Sequence, residues 1–329
     1  MHVSTLTWVI TVGLASAFLL FDVFWVGRRP HEPSLRESAV VLTFYVLLAL
    51  AFGLWVWSSS GARYAGEFYA GWLTEYSLSI DNLFVFLIIM TRFAVPRALQ
   101  QTALLVGIIL ALVLRGLFIA VGAAAISAFS WVFYLFGAFL VYTAVKLARQ
   151  GRDEHEEYHE GRMIRWMRRV LSVSTEWRGP HLTRRENGRR VVTPMLVVLV
   201  ALGTTDLLFA LDSIPAIYGL TKEPYLVLMA NIFALMGLRQ LYFLIGGLLE
   251  RLVFLSLGLS FLLGFIGVKL ILHALHENEL PFVNGGEHVG WAPDISISVS
   301  LLVILGTLVV TTVASLLHER GVTGRRGRP

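Results

Sequence analysis

Residues 67–90 read EFYAGWLTEYSLSIDNLFVFLIIM. Wound as a helix, this mainly apolar run is about 36 Å long, enough to cross the hydrocarbon core of a bilayer. Yet Glu75, Asp81 and Asn82 lie in its interior. A lone charge at mid-bilayer costs on the order of 3 kcal/mol on insertion scales, so such acids belong to a polar interior shared with other helices. The stretch predicts one member of a membrane-embedded helix bundle.

Similar apolar runs fall near 6–26, 38–58, 102–124, 129–148, 193–214, 224–247, 252–275 and 295–317. Each is too long for a buried strand and reads as a membrane helix. The whole chain has 329 residues, 56% hydrophobic and 15% charged, with a mean hydropathy of +0.71. That balance lies outside the range of soluble domains and predicts an all-α polytopic membrane protein of about nine spans. The chain has no cysteine, which excludes disulfides, thiolate metal sites, iron–sulfur clusters and cysteine nucleophiles. The first run has no basic residue before it and no small-residue cleavage site, so it reads as a retained helix.

Lys and Arg near helix ends resist translocation and set orientation. With the N terminus outside, 21 of the 27 basic residues fall on inner segments, and only Arg63 and Lys222 fall outside. This predicts a protein of the inner (plasma) membrane, N terminus outside and C terminus in the cytoplasm. Residues 1–66 hold two helices, 67–148 and 193–275 three each, and 295–329 the last helix with a basic tail. Segment 276–294 is an outer loop. The cytoplasmic loop 149–192 carries eleven arginines, and within it Gly161–Val173 reads as a short amphipathic helix suited to an anionic leaflet or to solvent.

An internal repeat organises the bundle. Thr74-Glu75-Tyr76-Ser77-Leu78-Ser79-Ile80-Asp81-Asn82 aligns with Thr205-Asp206-Leu207-Leu208-Phe209-Ala210-Leu211-Asp212-Ser213. Then Leu114-Arg115-Gly116-Leu117-Phe118 echoes Leu238-Arg239-Gln240-Leu241-Tyr242, and Val145-Lys146-Leu147 echoes Val268-Lys269-Leu270. The third to fifth spans thus recur, in order, in the sixth to eighth. The two copies enter the membrane from opposite sides, the inverted repeat from which many secondary transporters are built.

The acids at depth are Asp22, Glu75, Asp81, Asp206 and Asp212; the bases are Arg115, Lys146, Arg239 and Lys269. Glu75, Ser79 and Asn82 share a helical face, whereas Asp81 is six positions from Glu75 and about 120° away. Convergence of all the acids requires an unwound segment at Ser79–Asn82, and in the second copy Pro215 is a cause for such a break. Carboxylates, an amide, hydroxyls and freed carbonyls are hard oxygen donors, suited to Mn2+, Mg2+ or Ca2+. The expected metal ligands are Asp81 and Asp212, with Glu75, Asp206 and Asn82 in support and Asp22 peripheral. Arg115 and Arg239 balance charge, as stand-ins for a departing ion or as permanent partners. Lys146 reads as snorkelling.

At these residues the chain resembles the TerC integral membrane family, named for tellurium resistance, which includes manganese exporters. The resemblance rests on Glu75–Asn82 with Leu83-Phe84-Val85-Phe86, on Phe93-Ala94-Val95-Pro96, and on Thr205–Ala216. Asn231-Ile232-Phe233-Ala234 and Gly237-Leu238-Arg239 extend it. It implies manganese export with the acidic motifs as the metal site. Where the family commonly places a Glu three residues before the position of Asp206, this chain has Gly203.

The combined reading is a divalent-cation transporter working by alternating access, and proton antiport is a second hypothesis that its carboxylates allow. The bilayer is its surroundings, and neither a nucleic-acid partner nor an enzymatic activity is expected. The competing reading is a non-transporting metal-binding or assembly partner in tellurite or metal stress. His155-Glu156-Glu157-Tyr158-His159 matches a zincin pattern but sits in an uninterrupted polar run. Asp81 and Asp212 lack the glycine-flanked aspartate of intramembrane aspartyl proteases. The outer His273, His276, Glu277, Glu279, Glu287 and His288 read as a solvated loop.

Overall fold

The computed structural model describes residues 3–28, 34–129, 131–150, 174, 177, 179, 181–186, 189–245, 254–276, 278, 280, 283–293 and 295–326. Its helices are α1 (Thr5–Arg28), α2 (Leu35–Ser60), α3 (Ala62–Arg92), α4 (Arg97–Ala128), α5 (Val132–Gln150), α6 (Pro194–Tyr218), α7 (Pro224–Met236), α8 (Leu238–Ile245), α9 (Leu255–His276) and α10 (Ile297–Arg326). Among the described residues eight helices are long and apolar enough to cross a membrane, α7 and most of α8 counting as one. The first expected span is α1, apolar over Thr5–Phe18. The all-α polytopic architecture is therefore as read from the apolar runs.

Local chemistry sets the helix ends. Ser34 caps α2 by accepting from the Glu37 amide at 3.2 Å. Pro194 and Pro224 open α6 and α7, where a missing amide proton costs nothing. A single residue, Gly61 at φ +98°, turns α2 into α3, a conformation that a side chain disfavours.

Three expectations are corrected. α3 runs unbroken from Ala62 to Arg92, so Ser79–Asn82 is not unwound. α6 continues through Pro215: the proline lies in the final turn, where one lost hydrogen bond is cheap, and its carbonyl still accepts from the Gly219 amide at 3.0 Å. In the seventh span α7 and α8 meet at Gly237, whose backbone stays in the right-handed helical region and whose carbonyl accepts from the Leu241 amide at 3.0 Å. The loop 149–192, read as merely polar, ends in an antiparallel hairpin of β1 (Thr183–Glu186) and β2 (Arg189–Val192). Asn187-Gly188 between its strands is a strong hairpin signal. The zincin-like run 155–159 and the amphipathic segment 161–173 lie outside the described residues.

The hairpin is stitched to the bundle. The Thr193 hydroxyl donates to the His181 carbonyl, and the Trp177 indole donates to the Phe93 carbonyl at 3.2 Å, in the α3–α4 turn. This marks one end of the bundle as the hairpin end. The opposite end carries the loop after α9, where the buried Asn278 amide donates to the Val283 and Glu287 carbonyls and Asn278 Oδ1 accepts from Tyr134.

Inside, α3 packs on α7 as α4 packs on α6, and α5 lies along α9. The α5–α9 crossing depends on small residues. A Cβ on Gly137 would fall 2.8 Å from the Gly267 carbonyl oxygen, and one on Gly267 would fall 2.9 Å from that of Gly137. Along the same seam Gly264 faces Ala144 and Gly267 faces Val141. Under the alignment of Val145 with Val268 those two contacts exchange. The half towards the hairpin end is filled by Leu83, Phe86, Met90, Val198, Leu202 and Leu238. Lipid-facing positions stay apolar, among them Leu302, Val310 and Leu317 of α10.

Candidate ion-binding site

Because α3 and α6 remain intact helices, side chains seven apart, not six, fall in line. On α3 the stripe is Glu75, Ser79 and Asn82; on α6 it is Asp206, Ala210 and Ser213. All six are buried. Arg115 of α4 reaches across at the Glu75–Asp206 level. Its Nε and Nη2 donate to Asp206 Oδ2 and Oδ1 at 3.2 and 3.0 Å, a two-pronged pair, and its Nη1 is paired with Glu75 Oε1. Asn231 of α7 donates through Nδ2 to that same Glu75 oxygen at 3.2 Å. Four helices thus meet at one network, whose members are each at most 2% exposed.

Two carboxylates against one guanidinium leave a formal charge of −1 among these buried groups. Oxygen donors also remain unused: among the described residues Glu75 Oε2, Asn231 Oδ1, Ser79 Oγ and Ser213 Oγ have no hydrogen-bond partner. A surplus negative charge beside spare hard-oxygen ligands is an arrangement that accepts a cation.

Asp212 is not part of this network. Its Oδ1 accepts from Thr143 of α5 at 3.1 Å, and the charge of the exposed Lys146 acts on it. The side chains of Asp22 and Asp81 lie outside the described residues. Among those described, no three acidic or histidine side chains converge as a ready-made metal cage. Arg239, at the head of α8, is buried. The Gly203 position faces α4: a Cβ there would fall 2.5 Å from Leu110 Cδ2.

Two residues were not among the expected ligands, although the sequence motif Asn231–Ala234 contains one of them. Asn231 is the lone amide in the apolar run PYLVLMANIFALM, and polar isolation in a span is itself a signal. Glu67 stands at the edge of its run, where a carboxylate passes for an interfacial residue. It is buried, accepting from Arg63 Nε at 3.0 Å and from the Thr221 hydroxyl at 2.7 Å. It lines a cavity of about 600 Å³ at the loop end, shared with Arg63, Thr221, Lys222, Lys269 and His273. From Glu67 to Glu75 is eight residues of α3, about 12 Å of rise. A polar vestibule therefore approaches the network from the loop end, while the hairpin end is packed with apolar side chains.

Comparison with known proteins places the chain among integral membrane proteins. Residues 60–322 match the model of the integral membrane protein TerC family. An uncharacterized membrane protein of Mycobacterium tuberculosis, Rv2723, is 47% identical over 325 residues, covering 98% of this chain and 81% of its own length. The Myxococcus xanthus membrane protein STKORF319 is 37% identical, with 95% and 92% covered. Alx of Escherichia coli K12, given the provisional name of membrane-bound redox modulator, is 36% identical, with 91% and 90% covered. No solved structure matches.

Proposed function

The chain belongs to the integral membrane protein TerC family, and from that premise we propose that it carries a divalent cation, manganese foremost, out of the cytoplasm by alternating access. The observation that carries this reading is the bridge from Arg115 to both Glu75 and Asp206, on helices from the two halves of the chain. A guanidinium between two buried carboxylates occupies the place a metal ion needs and, being tethered, offsets one of the two negative charges when no ion is bound. The exchanged packing of α3 on α7 and α4 on α6 supports an inverted repeat. In this reading the hairpin end is cytoplasmic and the cavity at Glu67 opens outward, in the plasma membrane.

Charge arithmetic favours proton coupling. With Arg115 in place the network is one positive charge short of neutral; an entering divalent ion that displaces Arg115 balances both carboxylates alone. Proton antiport requires the network to hold one proton while Arg115 is engaged; the ion then exchanges for the guanidinium and that proton, which leaves as the metal binds. Manganese, magnesium and calcium share the oxygen preference.

Purified protein in sealed liposomes tests the proposal. Manganese flux that acidifies or alkalinises the lumen in step, and that is lost in Asp206→Asn, is the expected outcome. Wild-type protein that moves none of the three cations overturns it in favour of a non-transporting partner in metal or tellurite stress. A thiol-based redox role, the simplest sense of the name given to Alx, has no cysteine here to work with.

A further inference from the structure

The hairpin that closes the 149–192 loop is dense in one sign of charge. Residues 177–192 hold five arginines and a single glutamate. The strand register sets Glu186 opposite Arg189, matching that acid with a base, and on the next rung it sets Arg185 opposite Arg190. Like charges directly opposite each other on a ladder are destabilising, and Arg185 is exposed. We propose that this rung is a binding site for the phosphate of an anionic phospholipid, on the membrane face at the hairpin end.

Position favours a lipid over other phosphates. Val192 is buried in the apolar packing at the hairpin end, and Pro194 opens α6 two residues later. Arg190 is four residues before Pro194, at most about 14 Å of extended chain from the start of a membrane-crossing helix. The headgroup layer is about 5–8 Å deep on each side of the hydrocarbon core, so the rung stands in it or beside it. Leu182, next to the first strand, is 44% exposed, an apolar group that suits the edge of the acyl region and contributes nothing to holding a free anion. The Trp177 indole ties the segment to the Phe93 carbonyl, and the exposed Arg92 and Arg97 flank that turn. Orientation in the membrane is served by basic residues anywhere on this end. Opposing two of them across a short ladder is a cost that orientation does not require and that a phosphate removes. Arginine suits the task, because its planar fork of N–H donors matches phosphate oxygens. Since the hairpin is bonded to the cap of α3 and runs straight into α6, a bound lipid steadies the ends of the two helices that carry Glu75 and Asp206.

The full chain in an uncharged detergent, titrated with phosphatidylglycerol, phosphatidylcholine or inorganic phosphate, tests the site by native mass spectrometry and thermal unfolding. Wild-type protein is expected to retain phosphatidylglycerol in preference to phosphatidylcholine, and to gain melting temperature from phosphatidylglycerol alone. The pair Arg185→Gln, Arg190→Gln is expected to weaken retention about tenfold or more, whereas Arg325→Gln, Arg326→Gln, which removes the same charge from the C-terminal tail, should change it less than about twofold. Where the Gln pair fails to fold, Arg185→Lys, Arg190→Lys replaces it, keeping the charge and losing the fork, with about threefold weaker retention expected. Equal weakening by the hairpin and tail pairs, no preference for phosphatidylglycerol in wild type, or an equal gain in melting temperature from inorganic phosphate overturns the proposal. None of these outcomes depends on manganese flux, so the lipid site and the transport reading are tested separately.

Discussion

Arg115 grips Asp206 with two parallel hydrogen bonds across 91 residues of sequence, deep inside the bundle. Buried charge pairs of this kind contribute little net stability, but breaking one strands the other. Arg115→Ala is therefore expected to destabilise the protein by about 3–5 kcal/mol, leaving Glu75 and Asp206 uncompensated. In the Arg115→Ala, Asp206→Asn double variant the loss should be smaller than the sum of the single losses. Thermal unfolding in detergent reads both, and additive losses would contradict the bridge.

Asp212→Asn should behave differently. An amide oxygen can still accept from Thr143, and Asp212 does not touch the central network. Its stability cost is expected to stay within about 1 kcal/mol, well below that of Arg115→Ala in the same unfolding assay.

The seam between α5 and α9 separates two glycines that look alike in sequence. Gly267→Ala places a methyl group 2.9 Å from the Gly137 carbonyl oxygen and should cost about 1–3 kcal/mol. Gly264→Ala meets Ala144 Cβ at 3.6 Å, ordinary contact, and should be tolerated. Equal melting temperatures for the two would count against this packing.

Gly203→Glu adds a carboxylate one helical turn before Asp206. Alone it brings the new Cβ to 2.5 Å from Leu110 Cδ2, the tip of a partly exposed side chain that can turn aside, and should cost about 1–3 kcal/mol. Combined with Leu110→Ala it should fold and bind manganese more tightly than wild type, measured by titration calorimetry, because one carboxylate is added next to the Asp206 level. Weaker binding by the folded double variant would place that side chain elsewhere.

At the vestibule, Arg63 is 80% exposed while Glu67 is almost fully buried. An ion pair with one end in solvent is worth little, so Glu67→Gln should leave stability within about 1 kcal/mol of wild type. Because Glu67 lies between the cavity and the network, the same variant should slow manganese flux. A flux equal to wild type would remove Glu67 from the path.

Composition and apolar run length alone determined the helical membrane architecture, because a span must be about as long as the bilayer is thick and must satisfy its own backbone. The motif echo was likewise legible, and with it Glu75, Asp206, Arg115 and Arg239 as the charges to watch. Which of them meet was not legible. The sequence reading required α3 and α6 to unwind so that Asp81 and Asp212 could join; tertiary packing keeps both helices whole, so a spacing of six turns Asp212 towards Thr143. Asn231 and Glu67 emerged only when α7 came against α3 and α6 ended beside α3. Helical periodicity is a property of one segment, readable residue by residue. The partners of a buried charge are a property of how four segments cross, and only the packed bundle decides them.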